Sequence, residues 1–117
     1  MDFEIRFQGL DSSDPLREHA ELLVLAHLGR FRAELTQVLI VVGRRNGGTR
    51  PPEIRCEITA TGPRLPGTTV DHRGLHAFPA LSLAIQRAGR AVRHDLGRAG
   101  LRSAAARGSR GAPAGKS

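Results

Sequence analysis

The sequence predicts an α+β two-layer domain, with two helices on one face of a mostly antiparallel four-stranded sheet, in the order β-α-β-β-β-α. Three observations predict it. Two segments alternate apolar and polar residues with the period of a strand, and two others carry an apolar stripe with the period of a helix. The length of 117 residues, 39% of them hydrophobic, has room for one core.

Phe3, Ile5 and Phe7 alternate with Glu4, Arg6 and Gln8, so residues 3–8 read as a half-buried strand. Gly9-Leu10-Asp11-Ser12-Ser13 turns the chain, and Asp14 is the expected N-cap, with Pro15 at the first helical position where a missing N–H costs nothing. Leu16, Ala20, Leu23, Val24, His27, Leu28 and Phe31 then make one apolar stripe, which predicts an amphipathic helix over 15–32. Residues 36–43 are rich in β-branched side chains and predict a strand that is buried on both faces or central in its sheet. Arg44-Arg45-Asn46-Gly47-Gly48 reads as a hairpin turn, and Pro51-Pro52 blocks pairing until about Glu53. Ile54, Cys56, Ile58 and Ala60 alternate with Arg55, Glu57, Thr59 and Thr61, giving a third strand with one solvated face. Residues 67–72 predict a short fourth strand.

Pro79 is expected to open the second helix, whose apolar stripe runs through Leu81, Ala84 or Ile85, Ala88, Val92 and Leu96. Gly89 weakens that helix by about 1 kcal/mol relative to Ala, and Gly97 or Gly100 is expected to end it. From about residue 103 the chain is low in complexity with little to bury, so the expected division is a domain over 1–100 and a disordered basic tail over 101–117.

The formal net charge of +7 is unevenly placed. Ten Arg balance ten Asp and Glu over residues 1–85, whereas residues 86–117 hold seven Arg and Lys116 against Asp95 alone. A positive field concentrated at one end suits a polyanion. The single cysteine fits a reducing compartment, the N-terminal residues lack the layout of a signal peptide, and the apolar runs are too short to span a bilayer. The expectation is a cytoplasmic protein that does not engage membranes.

Catalytic constellations are missing. Asn46-Gly47-Gly48 is too short for a phosphate loop, and neither a nucleophile elbow nor a pair of carboxylates in an apolar setting occurs. His72, His76 and Asp71 do not complete a ligand set, and Cys56 points into the core by alternation. The chain is therefore expected not to be an enzyme, with no cofactor, metal or small-molecule substrate.

The sharpest feature is the basic side of the second helix, where Arg87, Arg90, Arg93 and His94 share one face and Arg98 follows. A solvated helix face normally interleaves Glu, and this one does not. Arg30, Arg32, Arg44 and Arg45 are candidates to widen the basic surface, or are ordinary loop charge. Arg102, Arg107 and Arg110 add nonspecific attraction or are inert. All four Phe are expected to be buried, which favours recognition of structured RNA through phosphate and shape over the stacking of single-stranded bases.

The element order and the run His76-Ala77-Phe78-Pro79-Ala80-Leu81-Ser82-Leu83-Ala84-Ile85-Gln86-Arg87-Ala88-Gly89-Arg90-Ala91-Val92-Arg93 resemble the ribosome hibernation-promoting factor family, also called ribosome-associated inhibitor A or the sigma-54 modulation protein family. Phe78 stands where that family has Tyr and Leu81 where it has Ile, while Arg87, Arg90 and Arg93 fall on family basic positions. Leu28-Gly29-Arg30-Phe31 and Glu53-Ile54-Arg55-Cys56 also look like its short members. Ser82 and Gln86 replace acidic residues of the family helix, and His94-Asp95-Leu96-Gly97-Arg98 replaces its lysine-rich end. The resemblance implies a partner in the small ribosomal subunit and its rRNA, near the decoding region, and repression of translation in stationary phase or stress, by a monomer or weak dimer. The alternatives are a protein-interaction module that kept the fold but lost the ribosome, and a general double-stranded-RNA binder.

Overall fold

The computed structural model describes residues 1–48 and 50–111. Its elements run β1 (Asp2–Gln8), α1 (Asp14–Leu28) followed by a 3-10 turn (Gly29–Phe31), β2 (Gln37–Gly47), β3 (Arg50–Gly62), β4 (Leu65–Gly74) and α2 (Ala77–Gly111). The strands lie in the order β1-β2-β3-β4, with β1 parallel to β2 and the other two pairs antiparallel. The α+β class and element order are those expected from the sequence.

Register explains which residues form the core. Ile5, Ile40, Ile58 and Val70 make one row of cross-strand partners, and Phe7, Val42, Cys56 and His72 make the next. Because side chains alternate across a strand, both rows face the helices. Leu16, Ala20, Val24 and Leu28 of α1 and Leu81, Ala84, Ile85, Ala88 and Val92 of α2 close over them. Phe3, Phe7 and Phe31 pack at the margin of this core. Cys56 sits inside it, and burial pushes its thiol up to about 11. Of the two readings of β2, the central one holds: Val38, Ile40 and Val42 are buried, whereas Leu39 and Val41 on the other face are only half-buried.

Several boundaries differ from expectation. The N-cap of α1 is Ser13, whose side chain accepts from the Leu16 amide at 3.3 Å, leaving Asp14 as the first helical residue and Pro15 as the second. Both positions precede the first residue that needs an intrahelical donor, so the proline fits either way. Residues Arg44 to Gly47 belong to β2 instead of a turn, which passes through Gly48 at φ +57°. Regular pairing resumes at Arg45↔Glu53, and two residues of β3, Pro51 and Pro52, oppose Asn46 in a bulge. A bulge is where a ladder tolerates prolines that cannot donate. The β2–β3 pair therefore projects past the ends of β1 and β4 as a two-stranded arm. At ten residues, β4 is longer than the predicted 67–72.

The largest correction concerns α2. It begins at Ala77, with Pro79 inside the first turn where donors are orphaned, and it continues through Gly97 and Gly100 to Gly111. The expected stop at Gly97 or Gly100 is overturned, and the helix runs on into the segment read from the sequence as a basic tail. A glycine ends a helix when it takes a left-handed conformation, and among the described residues only Gly9 and Gly48 have positive φ. Residues 112–117, the rest of the expected tail, lie outside the described residues.

Candidate nucleic-acid interface

The basic face exists because three sides of α2 are committed elsewhere. Toward the sheet, Leu81, Ile85, Ala88 and Val92 are buried, and Asp95 accepts a 2.7 Å hydrogen bond from Thr68, the one buried polar side chain among the described residues. Toward α1, Gly89 meets the His27 backbone: a Cβ there would lie 2.8 Å from the His27 carbonyl oxygen. Gly89, read from the sequence as a weak point in the helix, is the residue that lets the two helices close. Toward the edge strand β4, Arg87 donates to the Asp71 carbonyl oxygen at 2.8 Å. What remains outward is Leu83, Gln86, Arg90, Arg93, His94, Gly97 and Arg98, all exposed.

Arg90, Arg93, His94 and Arg98 line one shallow surface depression around Gly97. Among the described residues, no carboxylate lies within salt-bridge distance of these arginines. Arg87 is on the flank of this group. Its guanidinium is tied to the β4 backbone next to Asp71, so it belongs as much to the sheet edge as to the helix face.

The remaining sequence candidates divide between the two ends of the domain. His27 packs against Gly89, and Arg30 and Arg32 follow it in the 3-10 turn and just after, past the end of α1 that meets the middle of α2. Arg30 stacks over the Phe31 ring at 5.0 Å from its centroid, and Arg32 donates to the Gly29 carbonyl at 3.3 Å. Arg44 and Arg45 are elsewhere. They sit on the arm, at the far end of β2 from Thr36 and Gln37. The structure therefore does not bring them to the helix face. Sequence reading took the intervening residues for a turn and so had no measure of the strand between them. Arg102, Arg107 and Arg110 lie outside the described side chains.

The open face of the sheet contrasts with α2. Arg55 bonds Asp71 at 3.0 Å and approaches Glu57 at 3.6 Å, Arg6 bonds Glu4 at 2.6 Å, and Arg73 stands 4.0 Å from Glu53. The Arg55 hydrogen bond holds the Asp71 carboxyl below its usual range, helped by the charges of Arg73 and Arg87.

Phe78 was missed. Against the expectation that it is buried, it is 45% exposed at the start of α2, with its ring centroid 5.2 Å from that of His19. It lines a depression with Arg44, Pro52, Leu75, His76 and Pro79. The helical stripe could not have flagged it, because Phe78 continues the Leu81–Ile85–Ala88–Val92 series by one turn and shares its face.

Among the described residues, no group of three or more His, Cys, Asp or Glu side chains is placed to hold a metal ion, and no helix is long and apolar enough to cross a membrane.

Fold and surface together define a small α+β domain that displays a carboxylate-free arginine face on its long C-terminal helix. Two solved structures share this fold. A ribosomal subunit interface protein from Coxiella burnetii matches with a TM-score of 0.61 at 17% identity, over 77% of this chain and 91% of its own. The N-terminal domain of Thermus thermophilus Protein Y matches with a TM-score of 0.65 at 21% identity, over 80% of this chain and 98% of its own. The resemblance to hibernation-promoting factors found in the sequence is thus present in three dimensions as a likeness of fold. No protein-family model matches the sequence, and no curated protein does.

Proposed function

We propose that this chain is a ribosome-associated regulator of translation that binds rRNA of the small subunit through the outward face of α2. One observation carries the reading: Arg90, Arg93, His94 and Arg98 line one depression, with no carboxylate in salt-bridge reach of the arginines among the described residues. Guanidinium forks in such a row match successive phosphates, and neutralising a phosphate releases condensed counterions, which makes the affinity depend on salt. The shared fold with a ribosomal subunit interface protein supports the ribosome as the source of that RNA. Arg30 and Arg32 extend the contact from the 3-10 turn that follows α1, and Arg87 contributes from the flank. Binding without chemistry, in the cytoplasm and under conditions where translation is repressed, completes the reading.

The alternative of a protein-interaction module rests on Gly89 and on the replaced lysine-rich helix end, and helix–helix contact accounts for the first of these. A general double-stranded-RNA binder remains a distinct outcome of the test. In sucrose gradients at low salt the protein should co-migrate with small subunits or whole ribosomes, and it should leave them at high salt. Equal affinity for any RNA duplex, with no enrichment on ribosomes, contradicts the proposal, as does a ribosome association insensitive to salt.

A further inference from the structure

Phe78 is the one phenylalanine that does not pack against the core, and its surroundings are unlike those of an incidental surface ring. His19 lies against it, and the helix backbone beneath it is fixed: Ser82 Oγ donates to the Phe78 carbonyl at 2.9 Å and sits 2.9 Å from His19 Nε2. The ring has one neighbour in His19 while nearly half of the residue stays open. Three further parts of the chain enclose the same space: Arg44 from β2, Pro52 from β3, and Leu75 with His76 from the β4–α2 connection. The depression measures about 330 Å³, at the small end of the ~300–1,000 Å³ typical of ligand clefts. No carboxylate lines it. An adjoining depression, which shares Pro52 and Leu75, gathers Arg45, Arg50 and Arg73 against Glu53 alone.

We propose that this cleft at the root of the β2–β3 arm takes one unpaired nucleotide of RNA, with the base stacked on Phe78 and its phosphate paired with Arg44. The inference rests on the RNA-binding reading and deepens it, because it adds a second contact of a different kind. A fixed aromatic ring offers a sequence-tolerant platform, since every base has a π-face. Arg45 and Arg50 of the adjoining depression lie where the flanking phosphates of a single strand would run, while Arg73 faces Glu53. The ring, not charge, decides against the other class of occupant: an acidic peptide would suit the arginines, but it would leave the half-open Phe78 ring without a planar partner. Along α2, at ~1.5 Å per residue, Phe78 is ~18 Å from Arg90 and ~30 Å from Arg98. The RNA that satisfies both contacts is a folded one with an unpaired residue at that distance from its helical part.

The chain contains neither Trp nor Tyr, so Phe78→Trp places a single indole in the cleft. Its fluorescence should be quenched by a short single-stranded RNA of mixed sequence and not by a blunt RNA duplex. Phe78→Ala should weaken single-strand binding about tenfold, or ~1.4 kcal/mol, within the range for one stacked base, and leave duplex binding unchanged. Arg44→Ala gives the same selective loss and serves if Phe78→Ala melts early. Unchanged single-strand affinity in both variants overturns the cleft. If Arg90→Glu with Arg93→Glu still abolishes duplex binding, the helix-face reading survives that failure. Failure of the wild type to bind either RNA removes both. Saturable, Phe78-dependent binding of a poly-glutamate peptide bearing one Leu, without quenching by RNA, would overturn the assignment in favour of a peptide.

Discussion

The two solvent-facing surfaces of this domain carry comparable numbers of arginines and treat them in opposite ways. On the open face of the sheet, Arg6 has its carboxylate two residues away on β1, Arg55 reaches Asp71 on the neighbouring strand, and Arg73 approaches Glu53. On α2, Arg90, Arg93 and Arg98 have no such partner among the described residues. A count of charges would rank the two surfaces alike. Pairing separates them: a neutralised guanidinium offers little field to a distant phosphate, whereas an unpaired row keeps its field and counterions. Arg87 stands on the border, on the helix by sequence and on the β4 edge by contact.

That contrast can be broken most severely by reversing the unpaired row. Arg90→Glu, Arg93→Glu and Arg98→Glu together should lower affinity for small-subunit rRNA at least a hundredfold, or roughly 2.8 kcal/mol. Thermal unfolding should shift little, because all three residues are exposed. The same measurement on Arg55→Ala should leave RNA affinity at the wild-type value. Retained affinity in the reversal variant, or lost affinity in Arg55→Ala, would erase the distinction between the surfaces.

A second test asks whether the helix is held where the account needs it. Alanine favours a helix over glycine by about 1 kcal/mol, yet Gly89→Ala should destabilise the protein by about 1–3 kcal/mol, since its Cβ would press on the His27 carbonyl oxygen. Chemical denaturation gives the sign directly, and a stabilised variant would mean that the helices do not approach as closely as described.

The smallest effect lies on the sheet. Asp71 is held below its ordinary range by Arg55, so it is deprotonated more readily folded than unfolded. Its contribution is therefore present in full above the unfolded value of about 3.9 and is lost as pH falls through the folded one. Asp71→Asn should slightly flatten the acid limb of the stability curve and leave neutral-pH RNA binding intact. The pair is exposed, so the change is modest. An acid limb unaltered by the substitution would remove Arg55 and Asp71 as a folded-state pair.

How legible these surfaces were depends on range. Alternation in residues 3–8 and 54–61, and the stripe from Leu16 to Leu28, are local patterns, and they set the core because one face of each element must be buried. The outward side of α2 followed from the same logic, since what does not face the core faces solvent. Three features depend on contacts that a single segment does not encode. Gly89 was taken as a defect because its partner, the His27 backbone, is distant in sequence. Arg44 and Arg45 read equally well as part of the basic surface or as loop charge, because the arm hides behind glycines and a proline pair that elsewhere mark a turn. Phe78 was placed in the core by its chemistry alone. Its position one turn before the buried series sets it at the cleft instead. The helix beyond Gly100 was missed for another reason: helix-weakening residues lower helical stability without supplying a left-handed stop.

The central claim, that the outward arginines of α2 meet phosphates as a group, is tested most directly by the salt dependence of binding to a small-subunit rRNA fragment. Log affinity against log salt should fall along a steep line whose slope becomes shallower by about one for each of Arg90, Arg93 and Arg98 changed to Ala, and should not change for Arg55→Ala. A slope that is flat, or that responds equally to arginines on the sheet and on the helix, would contradict the account.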